Sequence, residues 1–186
     1  VDGSVVVACL PVSNSTFDLG DTTVNCSATD IHSNTANSSF TVSVVDTTDP
    51  SIAAPIDITQ EANGVLSTVD LGTPIVSDAV DASLIVTNNA PAGFPVGTTV
   101  VTWTATDASG NSQTDTQSVT ITDLTPPTIT SPADQTFEAT GPETTPTLVL
   151  ATATDIADSN PAITYAPNSF AVGVHTVTWT ATDASL

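Results

Sequence analysis

From Val101 to Thr106 the chain alternates apolar and hydroxyl side chains. Val101, Trp103 and Ala105 occupy one parity, and Thr102, Thr104 and Thr106 the other. Period two is the mark of a strand, because successive side chains leave a pleated backbone on opposite faces. One face is therefore apolar and the other polar, the pattern of a half-buried antiparallel sheet. Asp107-Ala-Ser-Gly-Asn111 follows, built from residues that close tight turns. Ser118-Val-Thr-Ile-Thr122 then alternates again, so the stretch predicts a β-hairpin. Earlier in the chain Val24, Cys26 and Ala28 are expected to pair with Phe40, Val42 and Val44 in the same way. Val, Ile and Thr are frequent, and branching at Cβ suits them to strands. Nowhere does a helical period persist over a useful length.

The alternating octet Val101-Thr-Trp-Thr-Ala-Thr-Asp-Ala108 recurs at 177–184, and a weaker copy stands at 24–31. Phe17, Gly20, Val24, Cys26, Ala28 and Asp30 align with Phe94, Gly97, Val101, Trp103, Ala105 and Asp107. The next copy is Phe170, Gly173, Val177, Trp179, Ala181 and Asp183. Glu61-Ala-x-Gly64 returns as Glu138-Ala-x-Gly141, Asp78 and Asp81 return as Asp155 and Asp158, and Asp46 to Pro50 returns as Asp123 to Pro127. Fixed self-similarity of this kind means a tandem array. The expected modules are 1–46, 47–123 and 124–186, of which only the middle is whole. Short strands separated by Gly, Pro, Asp and Asn predict an all-β chain of tandem immunoglobulin-like antiparallel sandwiches, with a barrel as the alternative closure. Gly20, Gly97 and Gly173 each precede a strand and read as turn glycines at positive φ. The abrupt start at Val1 reads as a mature product or a piece of something longer. The last strand of the third copy is expected either from chain beyond Leu186 or from another subunit, with Gly3 to Cys9 as the donor candidate.

Charge narrows the chemistry. The chain has no Lys or Arg, 20 acidic residues and a formal charge of −20. Phosphate backbones and anionic membrane surfaces need cationic side chains, so nucleic acid is excluded as a partner. No apolar window is long enough to insert in a membrane. The natural counter-charges are dissolved cations, with Ca²⁺ foremost because it takes carboxylate and carbonyl oxygens. Asp46 and Asp49 flank the first linker, Asp123 marks the second, and Asp107 ends a long strand. These four are the candidate calcium ligands at module junctions; the alternative is that they cap turns. The linkers Thr48-Asp-Pro50 and Thr125-Pro-Pro127 are short and proline-restricted, which favours a semi-rigid rod. His32 and His175 recur in no Ser-His-Asp order, and no zinc or phosphate-loop motif is present, so catalysis is not expected.

Cys9 and Cys26 are either a disulfide or two buried thiols. Their strand context, with Cys26 at the position of Trp103 and Trp179, favours a disulfide and hence an oxidising compartment. Asn14, Asn25 and Asn37 each open an N-glycosylation triplet.

Phe94-Pro-Val-Gly-Thr-Thr-Val-Val-Thr-Trp-Thr-Ala-Thr-Asp-Ala-Ser-Gly-Asn111 closely resembles the core motif of the hyalin repeat (HYR) family. So does Cys9-Leu-Pro with Phe17-Asp-Leu-Gly-Asp-Thr-Thr-Val-Asn-Cys26-Ser-Ala-Thr-Asp30. Trp stands where the family usually has its second Cys in two copies, and His32-Ser-Asn34 replaces the usual Ala-Gly-Asn turn in the first. The resemblance implies an immunoglobulin-like fold, an extracellular or cell-surface location, a role in adhesion or surface structure, and no catalysis. The expected function is a segment of a structural stalk, fibre or filament, with copies of itself or neighbouring modules as partners. An adhesin whose loops hold a glycan or protein is the alternative. Absence of Lys and Arg also removes every tryptic cleavage site, which suits an exposed polymer.

Overall fold

A computed structural model describes residues 5–185, and among them no helix occurs. The strands are β1 (Val7–Leu10), β2 (Gly20–Thr29), β3 (Thr35–Val44), β4 (Ser51–Ala53), β5 (Ile58–Glu61), β6 (Ile75–Ser77) and β7 (Ile85–Asn88). They continue with β8 (Gly97–Thr106), β9 (Ser112–Thr122), β10 (Thr128–Thr130), β11 (Thr152–Thr154), β12 (Ala162–Ala166) and β13 (Thr178–Thr182). The fold is all-β and immunoglobulin-like. Contacts divide the chain into two units. The first contains the chain up to Ser51 together with Val76–Ile85 and Ala105–Gln113. The second contains Ile52–Ile75, Val86–Thr104 and the chain from Thr114 onward.

In the middle repeat β4 and β6 make one small sheet, and β5, β9, β8 and β7, in that order, make a larger one. β5 joins β9 in parallel, Ile58 opposite Val119 and Glu61 opposite Thr122. Alternation along β8 places Val101, Trp103 and Ala105 in the interior, while the Thr neighbours are half-buried on the other face. In the second unit Val101, Trp103, Val119 and Ile121 pack with Ala62 and Phe94. The ring Nε1 of Trp103 donates to Gln117 Oε1 at 3.2 Å, and the Gln117 amide donates to the carbonyls of Ile56 and Leu71 at 2.8 and 3.1 Å. Gln117 is fully buried with its hydrogen-bonding capacity used, as a buried amide must be.

The first repeat forms one sheet in the order β1, β2, β3, inside the first unit. Val24 sits opposite Phe40 as the alternation implied, but the antiparallel register sets Cys26 opposite Ser38 and Ala28 opposite Ala36, with Val42 facing Thr22. The shared face is as expected; the direct partners are not, because antiparallel residues count in opposite directions. Cys9 lies opposite Cys26 and is joined to it by a disulfide, the Cα atoms 4.0 Å apart. In the third repeat the same cross-strand pair is Tyr165 and Trp179, whose rings sit 4.7 Å apart. The donor candidate Gly3 to Cys9 begins at Gly3 and Ser4, which lie outside the described residues, as does Leu186; its far end is already paired, as part of β1, with β2.

Burial is uneven between the copies. Phe40 is 55% exposed, and Val7 and Leu10 are exposed too, whereas the corresponding interior of the middle repeat is closed. Among the described residues no further strand joins β1–β3, and Val24 alone on their apolar face is buried. Apolar alternation announces a face; only a second sheet buries it.

Candidate functional site

The turns after β2 and β8 are each built by an Asp and an Asn four residues apart. At Asp107 the amide of Asn111 donates to Oδ1 and the Asn111 side chain donates to Oδ2, both at 2.8 Å. Asp30 and Asn34 repeat this arrangement, again with both bonds at 2.8 Å. The Asn34 side chain is the main reason the Asp30 carboxyl titrates below the usual range. Gly110 occupies the left-handed position of its turn at φ 93°, and Ser33 takes that place in the earlier copy at φ 68°.

The first linker meets this turn inside the first unit. Asn111 Nδ2 donates to the Asp46 carbonyl at 3.3 Å, and Asp46 Oδ1 accepts from the Thr48 amide at 3.0 Å. From the loop before β7, Asp81 Oδ2 accepts from the Ala108 amide at 2.8 Å. Asp78 Oδ1 accepts from the amides of Val80 and Asp81 at 2.8 and 2.9 Å. Those two amides, Asp81's first, lower the Asp78 pKa. The result is that carboxyl oxygens of Asp46, Asp81 and Asp107 all lie within 4.8 Å of one another. Two unit charges about 4 Å apart repel by about 1 kcal/mol in water and about 4 kcal/mol at the effective dielectric of a protein surface. Asp107 is only 4% exposed, and the chain offers no Lys or Arg to set against the group.

The second linker carries the same kind of aspartate-to-amide bonds inside the second unit, with no matching group of three carboxylates among the described residues. Asp123 Oδ1 accepts from the Thr125 amide at 3.4 Å, and Asp155 Oδ1 accepts from the amides of Ala157 and Asp158 at 2.7 and 2.9 Å. Asp158 Oδ2 accepts from the Ala184 amide at 3.1 Å, matching the bond from Ala108 to Asp81. Glu61 also holds this linker: Oε1 accepts from the Leu124 amide at 2.6 Å and from the Thr125 hydroxyl at 3.3 Å, and Oε2 from the Thr122 hydroxyl at 3.0 Å. The Leu124 amide is the chief cause of the lowered Glu61 pKa.

Of the four sequence candidates, the structure thus brings Asp46 and Asp107 together and adds Asp81. Asp123 occupies the place of Asp46 at the second linker. Asp49 is exposed and outside the group. Asp81 and Asp78 escaped selection as ligands although their 77-residue return was visible; that return was the signal. Asn14, Asn25 and Asn37 are all exposed, Asn25 and Asn37 on the same face of neighbouring strands.

The family model of the HYR domain matches residues 45–121. The chain is 36% identical over 190 residues to hyalin of Strongylocentrotus purpuratus, an alignment covering 91% of this chain and 15% of that protein. To hyalin of Lytechinus variegatus it is 38% identical over 128 residues, covering 61% of this chain and 23% of the relative. A serine-rich adhesin for platelets from Staphylococcus aureus strain MRSA252 is 32% identical over 110 residues, 53% of this chain and 8% of the adhesin. The chain therefore spans less than a quarter of the length of each of these three relatives. With the match covering nearly all of the middle repeat, and its strands arranged as described, residues 45–121 belong to the HYR family.

Proposed function

We propose that this chain is a segment of a non-catalytic extracellular protein that bears load or fills space: a cell-surface stalk, fibre or filament built from tandem modules. The modules are 1–46, 47–123 and 124–186, and the partners are neighbouring modules of a longer chain or further copies of it. The observation that carries this reading is the duplication of the junction. Each linker opens on an aspartate that accepts from the amide two residues on, Asp46 from Thr48 and Asp123 from Thr125, and in each following repeat a loop aspartate accepts from the turn after the alternating strand, Asp81 from Ala108 and Asp158 from Ala184. A binding loop needs variety between copies; a structural joint needs the same bonds each time. Hyalin relatives align across most of the chain, which agrees with repetition as the organising feature.

The second reading is an adhesin module that holds a glycan or protein, and its support is the similarity to the staphylococcal platelet adhesin. Electron microscopy of the native particle separates the two. Rods or filaments with a regular axial repeat are the expected result. Dispersed short particles that capture one glycan or protein ligand saturably would replace the structural reading with the adhesin.

A further inference from the structure

We infer that the first junction binds one calcium ion, held by Asp46, Asp81 and Asp107. An acidic cluster alone would not carry this. The second observation is a set of orphaned oxygens. Among the described residues, the buried side-chain polar atoms with no hydrogen-bond partner are Oδ2 of Asp46, Asp78, Asp123 and Asp155. These are two positions, each occurring once per junction. Asp123 itself is only 7% exposed.

Turn capping does not explain the pattern. Each of these four aspartates pins its turn through Oδ1 alone. Asn would make that bond equally well, without burying a charged oxygen that nothing meets. A buried charge is tolerated when it is paired or ligates a metal, and this chain contains no Lys or Arg to pair with it. The partner has to come from solution. Carboxylates without His or Cys select a hard cation over zinc or copper. Ca²⁺ binds oxygens at about 2.3–2.6 Å, so two of its ligands stand up to about 5 Å apart, while the Mg²⁺ octahedron confines them to about 4.2 Å. The three carboxylates of the first junction, all within 4.8 Å, lie inside the Ca²⁺ range, and Mg²⁺ gives up its water too reluctantly to be held by a group of protein carboxylates. The site stands on its own geometry; only its consequence, stiffening of the array, rests on the structural reading.

Isothermal titration calorimetry of the chelator-treated full chain with CaCl₂, with MgCl₂ in parallel, tests it. The expected result is saturable binding of one Ca²⁺ ion with Mg²⁺ weaker. Asp46→Asn with Asp81→Asn removes it. Thermal unfolding gives a second readout. In EDTA the Asn variant melts no lower than the parent, because repulsion is relieved while each Oδ1-type acceptor remains. In Ca²⁺ it loses the rise in melting temperature that the parent shows. No saturable binding at about 10 mM Ca²⁺, tenfold above the weakest extracellular sites, overturns the inference. So does binding that survives both substitutions, or tighter binding of Mg²⁺. None of these outcomes depends on whether the native particle is a filament.

Discussion

Ser33 and Gly110 show how much one backbone angle explains. Both stand at the left-handed position of the same Asp-Asn turn, at φ 68° and 93°. A side chain in that region is strained by about 1–2 kcal/mol, which glycine escapes at some entropic expense. Ser33→Gly should therefore stabilise the first repeat by up to about 1 kcal/mol in urea unfolding. A loss of stability would mean that Ser33 has a role the turn does not reveal. Gly97, at φ 110° with open space around it, gives the opposite case. Gly97→Ala should destabilise by about 1–3 kcal/mol through backbone strain alone, without a clash. Both positions were legible beforehand, Gly97 from its recurrence as Gly20 and Gly173, and the turn from its Asp and Asn. Asp81 was harder, since its meaning arises where three loops distant in sequence converge, and no local pattern encodes a convergence.

At the level of the element, alternation predicted faces well and partners less well. Val101, Trp103 and Ala105 do line the interior of β8. That β5 would join β9 in parallel was not legible, because period two says which side is buried and nothing about which edge is joined. The partly exposed apolar side of β1–β3 has the same cause: alternation marks a face without showing what packs on it. One cross-strand position is filled in two ways, by the Cys9–Cys26 disulfide and by Tyr165 against Trp179. Closing a loop of this separation stabilises by about 3 kcal/mol in the chain-entropy model. Reduction should lower the unfolding free energy of the first repeat by about that amount and leave the middle repeat untouched. Simultaneous loss in both would show that the repeats unfold as one.

Across the whole chain the charge is of one sign, and pH acts on it through the clamps. Glu61 titrates below its ordinary value of 4.5, first because of the Leu124 amide, and Asp115 below 3.8, first because of the Ala54 amide. A carboxylate depressed by folding contributes stability in full above its unfolded pKa and loses it as pH falls through the folded value. The parent should thus be more stable than Glu61→Gln at pH 7, with the difference shrinking below about pH 4.5. A difference that grew in acid would contradict the clamp. General repulsion among 20 carboxylates falls over the same range, so only the comparison of the two proteins isolates Glu61.

Hydrogen–deuterium exchange of the native chain, resolved by residue, tests most directly whether the junctions are built joints. The account predicts slowed exchange at the amides of Thr48, Asp81, Ala108 and Asn111, and equally at Thr125, Asp158 and Ala184, each of which donates to an aspartate. Exchange at the rates of an unstructured peptide at these positions, with β8 and β9 still protected, would make the junctions free hinges and contradict it.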